Sequence, residues 1–174
     1  MNGLLKKLKT TYINKMPKYR TLTQEEFKDL EKEFIDFLII NGITADDWQS
    51  LKLHEQEKAT KILEQFSDVV WEGVLRKTMF VEHRSPQEIR TFQCLPTKIV
   101  LMGIKIQDDQ IDLRTKEGYE QLQRNIPTTS VYSSEKTYTQ KRETEIFDLI
   151  QGGGQISDGN LFKRIAMLMA EGEA

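Results

Sequence analysis

Lys98-Ile99-Val100-Leu101-Met102-Gly103-Ile104-Lys105-Ile106 is the stretch whose reading decides the fold. At the two-residue period of a strand, Val100, Met102, Ile104 and Ile106 fall on one side and Ile99 and Leu101 on the other. A strand apolar on both faces belongs in the interior of a sheet. Just upstream, Thr78 to His83 alternates as a strand, Arg84-Ser85-Pro86-Gln87 reads as a turn, and Arg90 to Leu95 reads as a second strand. Downstream, Gln107 to Gln110 is expected to turn the chain into a short edge strand at Ile111 to Leu113.

Helical patterning flanks this block on both sides. Thr23-Gln24-Glu25-Glu26 is a capping box, and Phe27, Leu30, Phe34, Phe37 and Leu38 follow at helical spacing until Asn41-Gly42. Thr44 reads as another N-cap, with Asp46 and Asp47 in the dipole-favoured first turn and Trp48 and Leu51 on the buried face. A third helical block runs from His54 to Lys77 on Ala59, Ile62, Phe66, Val69, Val70 and Val74. After the strands come a helix from Lys116 to Arg124 and a hydroxyl-rich segment, Pro127 to Thr139, expected to be a surface loop. Two closing helices, Gln140 to Ile150 and Asn160 to Ala170, are separated by Gly152-Gly153-Gly154, which reads as a flexible connection. This order specifies an α+β fold: N-terminal helices, a small, mostly antiparallel sheet in the middle and C-terminal helices, with a single layer of sheet covered by helices.

With 174 residues and 38% hydrophobic content, residues 21–174 are expected to form one domain. Residues 1–20 carry Lys6, Lys7, Lys9, Lys15, Lys18 and Arg20 and no acid. Removing those six from 25 bases leaves 19 against 27 acids, so a basic extension of the kind that is commonly disordered precedes an acidic body. No run approaches the ~18 apolar residues that span a bilayer, and Leu4-Leu5 is too short for the core of a secretory signal. The expectation is a soluble cytoplasmic protein with no membrane partner, and the single cysteine, Cys94, agrees with a reducing compartment.

Motif readings fail at specific residues. The triple glycine lacks the Gly-Lys-Ser/Thr ending of a phosphate loop, since Asn160-Leu161 follow Gly159. Asp108, Gln110 and Asp112 alternate like the first ligands of a calcium loop, but Leu113 stands where the turn glycine belongs and Tyr119 where the bidentate glutamate belongs. His54, His83 and one cysteine cannot make the usual zinc site, so no metal and no cofactor is expected. Two weak catalytic candidates remain. A hairpin turning near Pro86 would bring the strands of His83 and Cys94 side by side, and Glu82-His83-Arg84 gathers an acid, a base and an anion-binding fork near a loop. The sequence alone commits neither to catalysis.

Three helices followed by a hairpin also admit a winged-helix reading, with the basic arm adding contacts to nucleic acid through Lys6, Lys7, Lys9 and Lys15. Against it, the third helical block carries Glu55, Glu57, Glu64 and Asp68, a poor surface to lay on phosphates. The last helix is apolar at Leu161, Phe162, Ile165, Leu168 and Met169, more than one stripe requires. Those residues are the candidate surface for an unknown protein partner or a second copy.

Four strings carry a resemblance: Met16-Pro17-Lys18-Tyr19-Arg20-Thr21-Leu22-Thr23, Asn41-Gly42-Ile43-Thr44-Ala45-Asp46-Asp47-Trp48, Glu82-His83-Arg84-Ser85-Pro86 and Phe92-Gln93-Cys94-Leu95. With them the chain, from Met16 onward, resembles a family of small uncharacterised proteins of Bacteroidetes-type bacteria. That resemblance implies no activity, cofactor or catalytic residue, and it implies that Met1 to Lys15 lies upstream of the family's usual start. The reading that remains is a noncatalytic protein-interaction or regulatory module.

Overall fold

The computed structural model describes residues 16–124 and 129–172. They form seven helices and a five-stranded antiparallel sheet, an α+β fold with the sheet in the middle and helices at both ends. The chain divides into two compact units, one up to Val74 and one from Leu75.

The first unit is helical: α1 (Gln24–Asp29), α2 (Glu31–Ile40), α3 (Ala45–His54) and most of α4 (Gln56–Lys77). The helix expected from Thr23 to Asn41 is broken at Leu30, although no glycine or proline marks the place. Both expected N-caps form, since Thr23 with Glu26 and Thr44 with Asp47 satisfy each other's free backbone donors. Asn41-Gly42 ends α2 as expected. Gly42 takes φ +68°, and the N–H groups of Gly42 and Ile43 reach back to the carbonyls of Ile39 and Leu38. The core is aromatic: Phe66 of α4 meets Phe27, Phe34 and Phe37 with ring centroids 5.8, 5.1 and 5.5 Å away, and Trp48 stands edge-on to Phe34 at 5.3 Å.

Residues 16–20, which composition groups with the basic extension, include a strap onto α4. The Asp68 carboxylate accepts the backbone N–H groups of Lys18 and Tyr19, both at 2.9 Å, and Glu72 accepts from Tyr19 Oη at 3.0 Å and from Lys18 Nζ. Arg20 grips Glu26 with two 2.7 Å bonds and lies 4.7 Å over the Trp71 ring. Tyr19 is buried as a result. The MPKYRTLT string of the resemblance is therefore a structural clasp. Lys6, Lys7, Lys9 and Lys15 lie outside the described residues.

The second unit holds β1 (Phe80–Ser85), β2 (Glu88–Cys94), β3 (Lys98–Ile106), α5 (Lys116–Arg124), β4 (Thr129–Thr137), α6 (Arg142–Gln151), β5 (Gln155–Ser157) and α7 (Asn160–Gly172), in sheet order β4-β3-β2-β1-β5. β3 lies inside the sheet, as its two apolar faces require. On one face Ile89 and Ile104 pack with Ile106, Ile111 and Leu113 against Leu161 and Ile165 of α7. At the open end of the hairpin, Arg142 at the start of α6 donates to the carbonyls of Leu75, Thr78, Cys94 and Leu95, tying the end of α4 to the end of β2.

Three sequence expectations change here. Ile111 to Leu113 forms no strand, because Ile111 and Leu113 turn inward as core residues while the Asp112 carboxylate folds back onto the backbone N–H and guanidinium of Arg114. Residues 129–137, within the expected loop, form the nine-residue edge strand β4, whose pattern is masked because an edge facing water needs little apolar content. Gly152-Gly153-Gly154 is a packed turn into β5. A Cβ at Gly154 would sit 2.7 Å from Leu149 O and from Val81 Cγ1, and Gly153 takes φ +93° beside the His83 ring.

Candidate functional site

Strand alternation decides which polar residues of the hairpin meet. Glu82 and Arg84 point to one face, where they pair at 3.2 Å and Arg84 lies over the Tyr119 ring. His83 points to the other. The acid, base and cation adjacent in sequence are thus split by the sheet, and the Glu82-His83-Arg84 cluster does not assemble as one site.

A different cluster assembles across the strands. His83 of β1 faces Arg90 of β2, which faces Gly103 of β3, which faces Tyr132 of β4. Arg90 Nη2 lies 3.2 Å from His83 Nδ1, and since a guanidinium can only donate, Nδ1 accepts and the neutral ring carries its proton on Nε2. Tyr132 reaches over β3 and donates to Glu88 Oε1 at 2.9 Å, while Glu88 Oε2 lies 3.6 Å from Arg90 Nε. Gly103 makes this reach possible, because a Cβ there would fall 2.1 Å from the Tyr132 ring. Burial, followed by the bond to Glu88, pushes the Tyr132 phenol up to about 12, so it stays protonated as a donor. The row is a half-buried set of groups held by one another through His83–Arg90 and Tyr132–Glu88 hydrogen bonds, with Arg90 Nε buried and without a hydrogen bond, and it contains no activated nucleophile.

Cys94 does not supply one. Its N–H pairs with Met79 O at the far end of the hairpin, four residues along β2 from the partner of His83, roughly 13 Å at strand rise. The register that joins the two strands therefore holds His83 and Cys94 apart, and the dyad does not form. Cys94 is fully buried, and that burial pushes its thiol up to about 11 despite nearby Arg142, the behaviour of a small core residue.

Other polar groups have structural partners as well. Asp108 caps Gln110 N–H and Asp112 holds Arg114, so the calcium-like alternation resolves into two tight turns. Glu145 of α6 is almost fully buried and accepts from Thr139 Oγ1 and Gln140 N at 3.0 Å, with Lys136 Nζ at 2.8 Å. Lys136 first, then these backbone donors, hold its carboxyl down at about 2. A cleft of about 250 Å³ beside it is lined by these groups together with Ile99, Asp148 and Leu149. Among the described residues no three His, Cys, Asp or Glu gather as metal ligands, and no helix is long and apolar enough to cross a membrane.

The apolar surplus of α7 is used internally. Leu161, Phe162 and Ile165 are buried, Phe162 against Phe80 at 5.6 Å, and Leu168 packs on the same cluster; Met169 is half-buried. Leu161, Phe162 and Ile165 are therefore core residues rather than a partner surface. Most of the exposed aliphatic side chains lie elsewhere, on the helical unit: Ile35 at 49%, Ile39 at 66% and Ile40 at 84% exposure on α2, with Leu53 and Val69 on α3 and α4, while the sheet unit exposes Ile156 of β5. Ile35 and Ile39 stand one turn apart on the same flank of α2, beside the stripe of Phe34, Phe37 and Leu38. Hydrophobic spacing marks α2 as amphipathic but cannot show that its apolar residues outnumber the positions its own core covers.

Against known proteins, residues 16–170 match the model of the Family of unknown function (DUF6495). No curated protein and no solved structure matches.

Proposed function

For a chain that belongs to that family of unknown function, we propose a noncatalytic protein-interaction module that engages its partner through the aliphatic flank of α2. The observation that carries this reading is the exposure of Ile35, Ile39 and Ile40 on one short helix. Burying an isoleucine contributes about 1.5–3 kcal/mol, so three of them supply a useful fraction of the ~8 kcal/mol of a micromolar complex. The engaged state of the His83–Arg90–Glu88–Tyr132 row and the inert burial of Cys94 favour binding over chemistry. Cytoplasmic placement accompanies the proposal, supported by the free, buried Cys94. The hairpin gives little support to a winged-helix reading: its turn is only Pro86-Gln87, and Arg84 and Arg90 face Glu82 and Glu88 of the same chain.

The test is a photo-crosslinking amino acid at Ile39 in the full chain, expressed in its host, with the same probe at exposed Lys163 as control. A discrete protein adduct at position 39, absent at 163 and lost in Ile35→Glu, supports the module. Equal, diffuse labelling at both positions contradicts it.

A further inference from the structure

The two edges of the sheet are unlike. β5 ends one side after three residues, whereas β4 ends the other with nine. β4 matches β3 pair by pair from Thr129↔Ile106 to Thr137↔Lys98 without a bulge, so its outer side presents an equally regular row of backbone donors and acceptors. Proteins guard such edges with charge, proline, bulges or brevity. From Ser130 through Val131, Tyr132 and Ser133 to Ser134, β4 has none of these. Its two charges sit at the C-terminal end and are held by its own chain, Glu135 on Lys98 at 2.6 Å and Lys136 on Glu145.

We propose that the outer edge of β4 is a self-association surface on which a second copy of this chain pairs antiparallel, with the two-fold axis at Ser133. The strand's own sequence is compatible with a second copy, and overlap favours this register, since centring on Tyr132 or Ser134 leaves two residues of each strand unpaired. Centred on Ser133, Tyr132 faces Ser134 of the second copy, Glu135 faces Val131, Lys136 faces Ser130 and Thr137 faces Thr129, so no charge meets its like and the whole strand is used. Centring on Glu135 sets that carboxylate against itself, which is destabilising. Centring on Val131 shortens the overlap to residues 129–133. The pairing would extend the five strands into a continuous sheet across two chains, a β-addition in which main-chain bonds give the affinity. It involves no residue of the α2 flank, so it stands or falls separately from the module proposed above.

Cysteine crosslinking of the full chain reads the register directly. Paired residues of an antiparallel ladder have Cα atoms about 4.5–5.5 Å apart, within disulfide reach, whereas Ser134 and its copy would be offset by two positions, roughly 8 Å apart. Both serines are exposed, and Cys94 is buried and does not compete. Under mild oxidation Ser133→Cys is expected to give a disulfide-linked dimer about tenfold faster than Ser134→Cys, in line with the geometric limit on bridging. Light scattering is expected to give a dimer mass for the unmodified chain, and a shift towards monomer for Ser133→Lys, which sets two lysines against each other. A monomer with no crosslink at position 133 overturns the proposal. Equal rates at 133 and 134 overturn the register, and capture of a different protein's strand at this edge in place of a second copy overturns the occupant.

Discussion

The helical unit and the sheet unit use their apolar residues in opposite ways. In the sheet unit, Val81, Ile89, Leu113, Ile146 and Ile165 are fully buried, and Met79, Ile156 and Met167 are the large hydrophobics left exposed among its described residues. The helical unit fills its core with four phenylalanines and Trp48, then leaves Ile35, Ile39, Ile40, Leu53 and Val69 in water. Aliphatic side chains thus stay outside an aromatic cluster in which Phe66 is buried and Phe27, Phe34, Phe37 and Trp48 are half-buried, and the same residue type has different consequences in each unit.

Substitution of equivalent isoleucines breaks that comparison most sharply. Ile165→Glu places a charge in the closed cluster under α7 and is expected to cost about 4 kcal/mol or more, enough to abolish folding in a chemical-denaturation measurement. Next in size, Arg142→Met leaves the carbonyls of Leu75, Thr78 and Cys94 without their guanidinium, an expected loss of about 3 kcal/mol by the same measurement. Gly154→Ala, which forces a methyl against Leu149 O and Val81, is expected to cost about 2 kcal/mol.

Acid sharpens the contrast. Glu145 in the sheet unit and Glu26 in the helical unit are both held at about 2, Glu145 chiefly by Lys136 and Glu26 chiefly by Arg20. A carboxylate depressed in the folded state contributes stability above its ordinary value near 4.5 and loses it as the pH falls towards 2. Both ion pairs reach solvent, Lys136 being 62% exposed and Glu26 and Arg20 about one-third each, so screening discounts both; the buried Glu145 carboxylate keeps in addition two backbone donors, Thr139 and Gln140, against one, Thr23, for Glu26. Glu145→Gln is therefore expected to flatten acid unfolding between about pH 4.5 and 2 more than Glu26→Gln does, followed by circular dichroism. The smallest effect belongs to Cys94, whose thiol is expected to resist iodoacetamide at neutral pH until the chain is unfolded, as mass spectrometry would show.

Legibility in the sequence divides along the same line. The capping box at Thr23, the N-cap at Thr44, the Gly42 stop and the doubly apolar Lys98–Ile106 strand are plain because each has a local physical signature. Residues 129–137 are not, since an edge strand rich in serine and threonine lacks the alternation that burial imposes. The segment from Ile111 to Leu113 misleads for the converse reason: its alternation suits a strand, but its burial is achieved by an irregular turn held at Asp112. The polar row joins His83, Glu88 and Arg90 of the β1–β2 hairpin to Tyr132, 44 residues beyond Glu88, and only the register of the sheet brings that last residue to them. The exposed flank of α2 is equally hidden, because periodicity reports that a helix is amphipathic and not how much of its apolar side is covered.

The most direct measurement is the denaturation midpoint of the Ile35→Glu, Ile39→Glu double variant, followed in the full chain. If these isoleucines are held outside the core for a partner, stability stays within about 0.5 kcal/mol of the unmodified chain, the range of ordinary surface substitutions. A loss of several kcal/mol would show that Ile35 and Ile39 belong to the protein's own core, and would contradict the account.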